Sequence, residues 1–92
     1  MTYHYTFPEQ LPLSDVEDSL LLSAMAVESL YGIAAARLDM EFRLDRKERT
    51  CRVDSSTRVG DALNRIFAGF LVKQFGETAF KVRRRGKTRD SP

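Results

Sequence analysis

What most constrains this chain is that the spacing of its apolar residues switches repeatedly between two periods. Thr2–Phe7 alternates Tyr3, Tyr5 and Phe7 against Thr2, His4 and Thr6, the pattern of a strand with one aromatic face. From Ser14 to Tyr31 the apolar residues recur at helical spacing. Ser14 followed by Glu17 reads as a capping box, and Gly32 as the residue that stops the helix. Ala34–Leu44 returns to period two, with Leu38, Met40, Phe42 and Leu44 on one side and Arg37, Asp39, Glu41 and Arg43 on the other. A polar turn at Asp45–Glu48 leads into a further strand, Arg49–Ser55, with Cys51 and Val53 facing inward. Ser56 or Thr57 caps a second helix, which runs to Phe75 and stops at Gly76. Thr78–Arg83 then alternates once more.

The order β-α-β-β-α-β predicts an α+β two-layer sandwich of the ferredoxin-like, split βαβ type: a four-stranded antiparallel sheet with two helices on one face. Two hairpin registers keep the apolar faces together. A four-residue loop at Asp45–Glu48 pairs Phe42 with Cys51 and Met40 with Val53, and sets Glu41 opposite Arg52. A two-residue loop at Lys47–Glu48 instead sets Arg43 against Arg52 and Glu41 against Asp54. Like charges directly opposite are destabilising, and Lys-Glu lacks the positive-φ residues of a tight hairpin turn, so the first register is expected.

A chain of 92 residues supports one core. The expected organisation is a single α+β domain over 1–84 and a basic, flexible tail over 85–92, with residues from about Lys87 onward disordered. No apolar stretch is long enough to span a bilayer. Met1–Gln10 has neither the basic start nor the apolar stretch of a secretory leader. Cys51 is the single cysteine, so no internal disulfide forms, and a cytoplasmic location is expected.

Chemistry-bearing motifs are sparse. His4 is the only histidine, with no nucleophile placed beside it, and Cys51 falls on the apolar side of its strand. One Cys and one His cannot build a structural zinc centre. Gly60, Gly69 and Gly76 are isolated and form no phosphate-cradling pattern. These residues predict no enzyme, no metal site and no cofactor.

Charge is distributed unevenly. Residues 1–31 hold five acids and no Lys or Arg, whereas 32–92 hold all fifteen basic residues against eight acids. Two functional readings follow. The first is a non-catalytic, self-associating interaction or scaffolding module, most simply a homodimer that also binds a protein partner. In this reading α-helical apolar surface beyond the core stripe, at Leu21, Met25, Ala68, Leu71 and Phe75, forms the contact. The core stripe itself is expected to include Leu30, Tyr31, Ile66 and Phe70. The alternative is a nucleic-acid binder without sequence specificity. It would use the open sheet face and the basic C-terminus: Arg37, Arg43, Arg52, Lys81, Arg83, Arg84, Arg85, Lys87 and Arg89. The same face offers no aromatic side chain for stacking bases, which argues against sequence-specific reading of single strands.

Overall fold

A computed structural model of the chain describes residues 1–86. Strand β1 (Thr2–Thr6) leads to helix α1 (Leu13–Tyr31) and a short helix α2 (Ile33–Asp39). The hairpin of β2 (Glu41–Asp45) and β3 (Thr50–Asp54) follows, then α3 (Arg58–Phe75) and β4 (Lys81–Arg85). The fold is α+β, with one open four-stranded sheet in the order β2-β3-β1-β4. Every neighbouring pair is antiparallel.

Helix α2 replaces the first half of an expected strand. Ala34, Ala35 and Ala36 are the strongest helix formers, and Gly32 at φ 90° turns the chain between α1 and α2. The alternation read over Ala34–Leu44 holds only from Met40 onward. Ala36 enters the core, while Leu38 is 84% exposed, so Leu38 does not share a sheet face with Phe42 and Leu44. Arg37 and Asp39 leave the sheet for the same reason.

The hairpin adopts the pairing that charge had argued against: Glu41 opposes Asp54, Phe42 opposes Val53, Arg43 opposes Arg52 and Leu44 opposes Cys51. The ladder closes at Asp45–Thr50, leaving a four-residue turn, Arg46–Arg49. Within it the Asp45 carboxylate accepts from the Glu48 N–H at 3.0 Å, and Arg49 takes a left-handed φ of 56°. The Arg49 guanidinium donates to the carbonyls of Phe7, Pro8 and Leu11, tying the hairpin turn to the β1–α1 connection. The Phe7 N–H returns a bond to the Arg49 carbonyl at 3.0 Å. Two pairs of facing like charges, each costing under about 1 kcal/mol at an exposed site, are tolerated in this register.

The core sits between the sheet and α1/α3. Tyr5, Phe7, Phe67 and Phe80 form its aromatic centre, with the Tyr5 and Phe67 rings edge to face at 5.0 Å. Tyr5 and Phe7 are buried and Tyr3 packs against the cluster, as the alternation in β1 implies. On α3 the buried arc is Val59, Leu63, Phe67 and Leu71, flanked by Gly60 and Asn64. It is rotated relative to the expected stripe, so Phe70 is exposed and Leu71 fully buried. On α1, Leu30 and Tyr31 are likewise exposed. Buried Ser19 and Ser23 allow close approach instead: Ser19 Oγ donates to Gln74 Oε1 of α3 at 2.8 Å, and Ser23 Oγ to the Ser19 carbonyl at 2.7 Å.

Helix ends follow local chemistry in part. Thr57 Oγ1 accepts from the Gly60 N–H at 2.9 Å, and Gly76 ends α3 at φ 91°. The expected Ser14–Glu17 capping box does not form. Pro12 stands at the cap position without a side-chain bond, and Glu17 pairs with Arg46. Strand β4 runs through Arg85.

Candidate functional site

Because side chains alternate along a strand, the observed register decides which residues meet across the uncovered face of the sheet. The central row is Arg43, Arg52, His4 and Arg83, one residue from each strand. At adjacent-strand spacing this row extends roughly 14 Å across the sheet. On one side lies the row Glu41, Asp54, Thr2 and Arg85, and on the other Asp45, Thr50, Thr6 and Lys81. The face therefore carries five cations against three carboxylates, and the middle row holds no acid. Thr2, His4, Arg43, Arg52 and Arg85, together with the carboxylates Glu41 and Asp54, line a shallow depression of about 460 Å³ there. Asp54 is engaged at the corner, its carboxylate accepting from the Ser56 N–H at 2.9 Å.

The chemistry of the row is visible in His4. Partial burial lowers its pKa below the usual 6.5, and the charges of Arg85, Arg52 and Arg83 lower it further. The imidazole is thus neutral at physiological pH inside a field that already repels a proton. Threonine hydroxyls at Thr2, Thr6 and Thr50 add donors and acceptors around it. The salt bridges among the described residues, Arg46–Glu17 and the Arg65–Asp61 pair at 2.9 Å, lie on other surfaces. Arg43, Arg52 and Arg83 are exposed.

The structure gathers only part of the expected polyanion set. Arg43, Arg52, Lys81, Arg83 and Arg85 share the open face. Arg37 is on α2. Arg84 is opposite Tyr3, on the helix side of the sheet, so strand alternation splits the Arg83–Arg85 run between two faces. Lys87 and Arg89, with the expected disorder from Lys87 onward, lie outside the described residues.

The self-association set divides similarly. Leu21 and Met25 are exposed on α1. Leu71 is fully buried and presents no surface, whereas Phe75 and Ala68 are half-buried, packed against the core on one side. Leu22, which had no role in the sequence reading, is exposed beside Met25, and Phe70 and Val72 are exposed on α3.

Other reactive groups are spoken for or inert. Cys51 is buried, and burial pushes its thiol up to about 12. Tyr5 donates its hydroxyl to Asn64 Oδ1 within the core, and burial raises its pKa far above the usual value. No group of three or more His, Cys, Asp or Glu among the described residues could hold a metal ion, and no helix among them is long and apolar enough to cross a membrane. Comparison with protein-family models, curated proteins and solved structures finds no match. Function must therefore be argued from the surface itself.

Proposed function

We propose that the open sheet face binds the phosphate backbone of a nucleic acid without reading its sequence. The observation that carries this reading is the acid-free row Arg43–Arg52–His4–Arg83. Like charges facing across strands cost stability, and a polyanion is the ligand that converts that cost into affinity. With no aromatic side chain on the face, base stacking contributes nothing, which supports contacts to phosphate rather than to bases.

The test is a salt titration of oligonucleotide binding by fluorescence anisotropy. Five neutralised phosphates give a slope of log affinity on log salt of about −4.5 for duplex and about −3.5 for a single strand. Replacing Arg43, Arg52 and Arg83 together by alanine should flatten the duplex slope by about 2.7. Absence of binding at low salt, or a slope indifferent to the triple variant, refutes the proposal.

A second reading retains self-association through the helix layer, supported by the exposure of Leu21, Leu22 and Met25 on one stretch of α1. Its test is loss of association in the Leu22→Glu, Met25→Glu double variant. We also read the topology as split βαβ. Helical connections join β1 to β2 and β3 to β4, each stepping over one strand of the sheet, and α2 is then an insertion in the first crossover.

A further inference from the structure

Strands β2 and β4 are the two edges of the sheet, and among the described residues no strand lies beyond either. All five residues of β4 are exposed, including Val82 on the helix side at 46%. Charged edge strands ordinarily prevent sheets from adding to one another. Here the charges distinguish between partners. Two β4 strands antiparallel about Arg83 would set Lys81 against Arg85, and every residue but Val82 would be a cation. Two β2 strands about Arg43 would set Glu41 against Asp45 and Arg43 against its own copy. Both like-with-like edges repel.

The unlike edges match. Lay β4 of one copy antiparallel to β2 of a second, keeping each residue in its own row of the sheet. Glu41 then meets Arg85 and Asp45 meets Lys81 on the open face, while Leu44 meets Val82 on the helix face. This register preserves the inward and outward sense of every side chain and continues the alternation of ladder hydrogen bonds across the junction. Its one like-charged pair, Arg43 with Arg83, is of the kind the sheet already contains at Arg43–Arg52.

We infer that copies of this chain add edge to edge, β4 of one against β2 of the next, in a head-to-tail continuous sheet. A contact between different surfaces closes into a ring or grows as an open filament, so the assembly passes beyond a dimer. The central cationic row then runs unbroken from Arg83 of one copy to Arg43 of the next.

The experiment uses the full chain without any polyanion, so it is independent of the nucleic-acid reading. Mass is measured by light scattering and sedimentation over a hundredfold concentration range at low salt. Wild type should rise above twice the single-chain mass and fall back as salt is raised. Glu41→Lys with Asp45→Lys, and separately Lys81→Glu with Arg85→Glu, should each remain at single-chain mass with unchanged circular dichroism. Mixing those two variants restores complementary edges and should restore assembly. A wild type that stays at single-chain mass overturns the inference. So does assembly of either charge variant alone, or a mixture that stays dissociated while wild type assembles. Assembly lost in Leu22→Glu with Met25→Glu but kept in the edge variants would also overturn it, placing the contact on the helices.

Discussion

Tyr5 and Asn64 show how one buried polar pair orders the centre of the molecule. The Tyr5 hydroxyl donates to Asn64 Oδ1 where both residues are buried. Tyr5→Phe leaves the amide without its partner and should cost about 1–3 kcal/mol in denaturant unfolding. Asn64 had no place in the sequence reading, because a polar residue on a helix carries no signal that it faces inward. His4 was legible as an outward residue, but its neighbours were not, since they depend on cross-strand register. Its lowered pKa has a definite sign. Below about 6.5 the unfolded chain takes up a proton that the folded chain refuses, so stability rises with pH through the window just below 6.5. His4→Gln should flatten that dependence in unfolding curves measured between pH 5 and 7. A bound polyanion reverses the local field, so binding should take up a proton and tighten as pH falls toward 6, and His4→Gln should abolish that tightening.

At the scale of elements, the turn between β2 and β3 decides more than its four residues suggest. Facing charges favoured one hairpin register, yet the other forms, closed by a turn in which the Asp45 carboxylate accepts from the Glu48 N–H and Arg49 takes a left-handed φ; from there the Arg49 guanidinium donates to three carbonyls of the β1–α1 connection. Those carbonyls are distant in sequence, which is why no local rule found them. Arg49→Ala should cost about 1.5–3 kcal/mol in chemical denaturation, the range for bonds to a charged donor. The alanine run before Met40 is a second instance: period two was real over β2 but was extended backward across residues whose propensity is helical. By contrast the ends of α3 were legible, since Thr57 and Gly76 act through their nearest neighbours alone. The glycines of that helix divide on space. A Cβ on Gly60 would lie 2.1 Å from the Asp54 carbonyl oxygen, whereas one on Gly69 would meet nothing within 4 Å. Gly60→Ala should therefore destabilise by about 1–3 kcal/mol through overpacking against backbone. Gly69→Ala should stabilise by about 0.5–1 kcal/mol, and thermal melts of the two variants compare them directly.

At the scale of the whole molecule, the acids of α1 and the cations of the open face lie on opposite sides of the sheet. Glu17, Asp18 and Glu28 of α1 belong to the helix layer, which also carries Arg58, Arg65 and Lys73 of α3, while Arg43, Arg52, Lys81, Arg83 and Arg85 reach the opposite side of the sheet. A helix with its side chains is about 10 Å across, so outward acids of α1 lie farther from the open face than the screening length of about 8 Å at physiological salt. The α1 acids should thus scarcely affect a polyanion held on the open face under those conditions. Asp18→Asn with Glu28→Gln should leave oligonucleotide affinity within about twofold at 0.15 M salt. At 0.01 M salt the screening length grows to about 30 Å and the same variant should associate faster than wild type, as stopped-flow mixing would show. Arg52→Ala should weaken binding at both salts, because it removes a contact and not only a distant field. Equal sensitivity of the α1 and Arg52 variants at 0.15 M would mean that the polyanion reaches the helix layer and that the open face alone does not hold it.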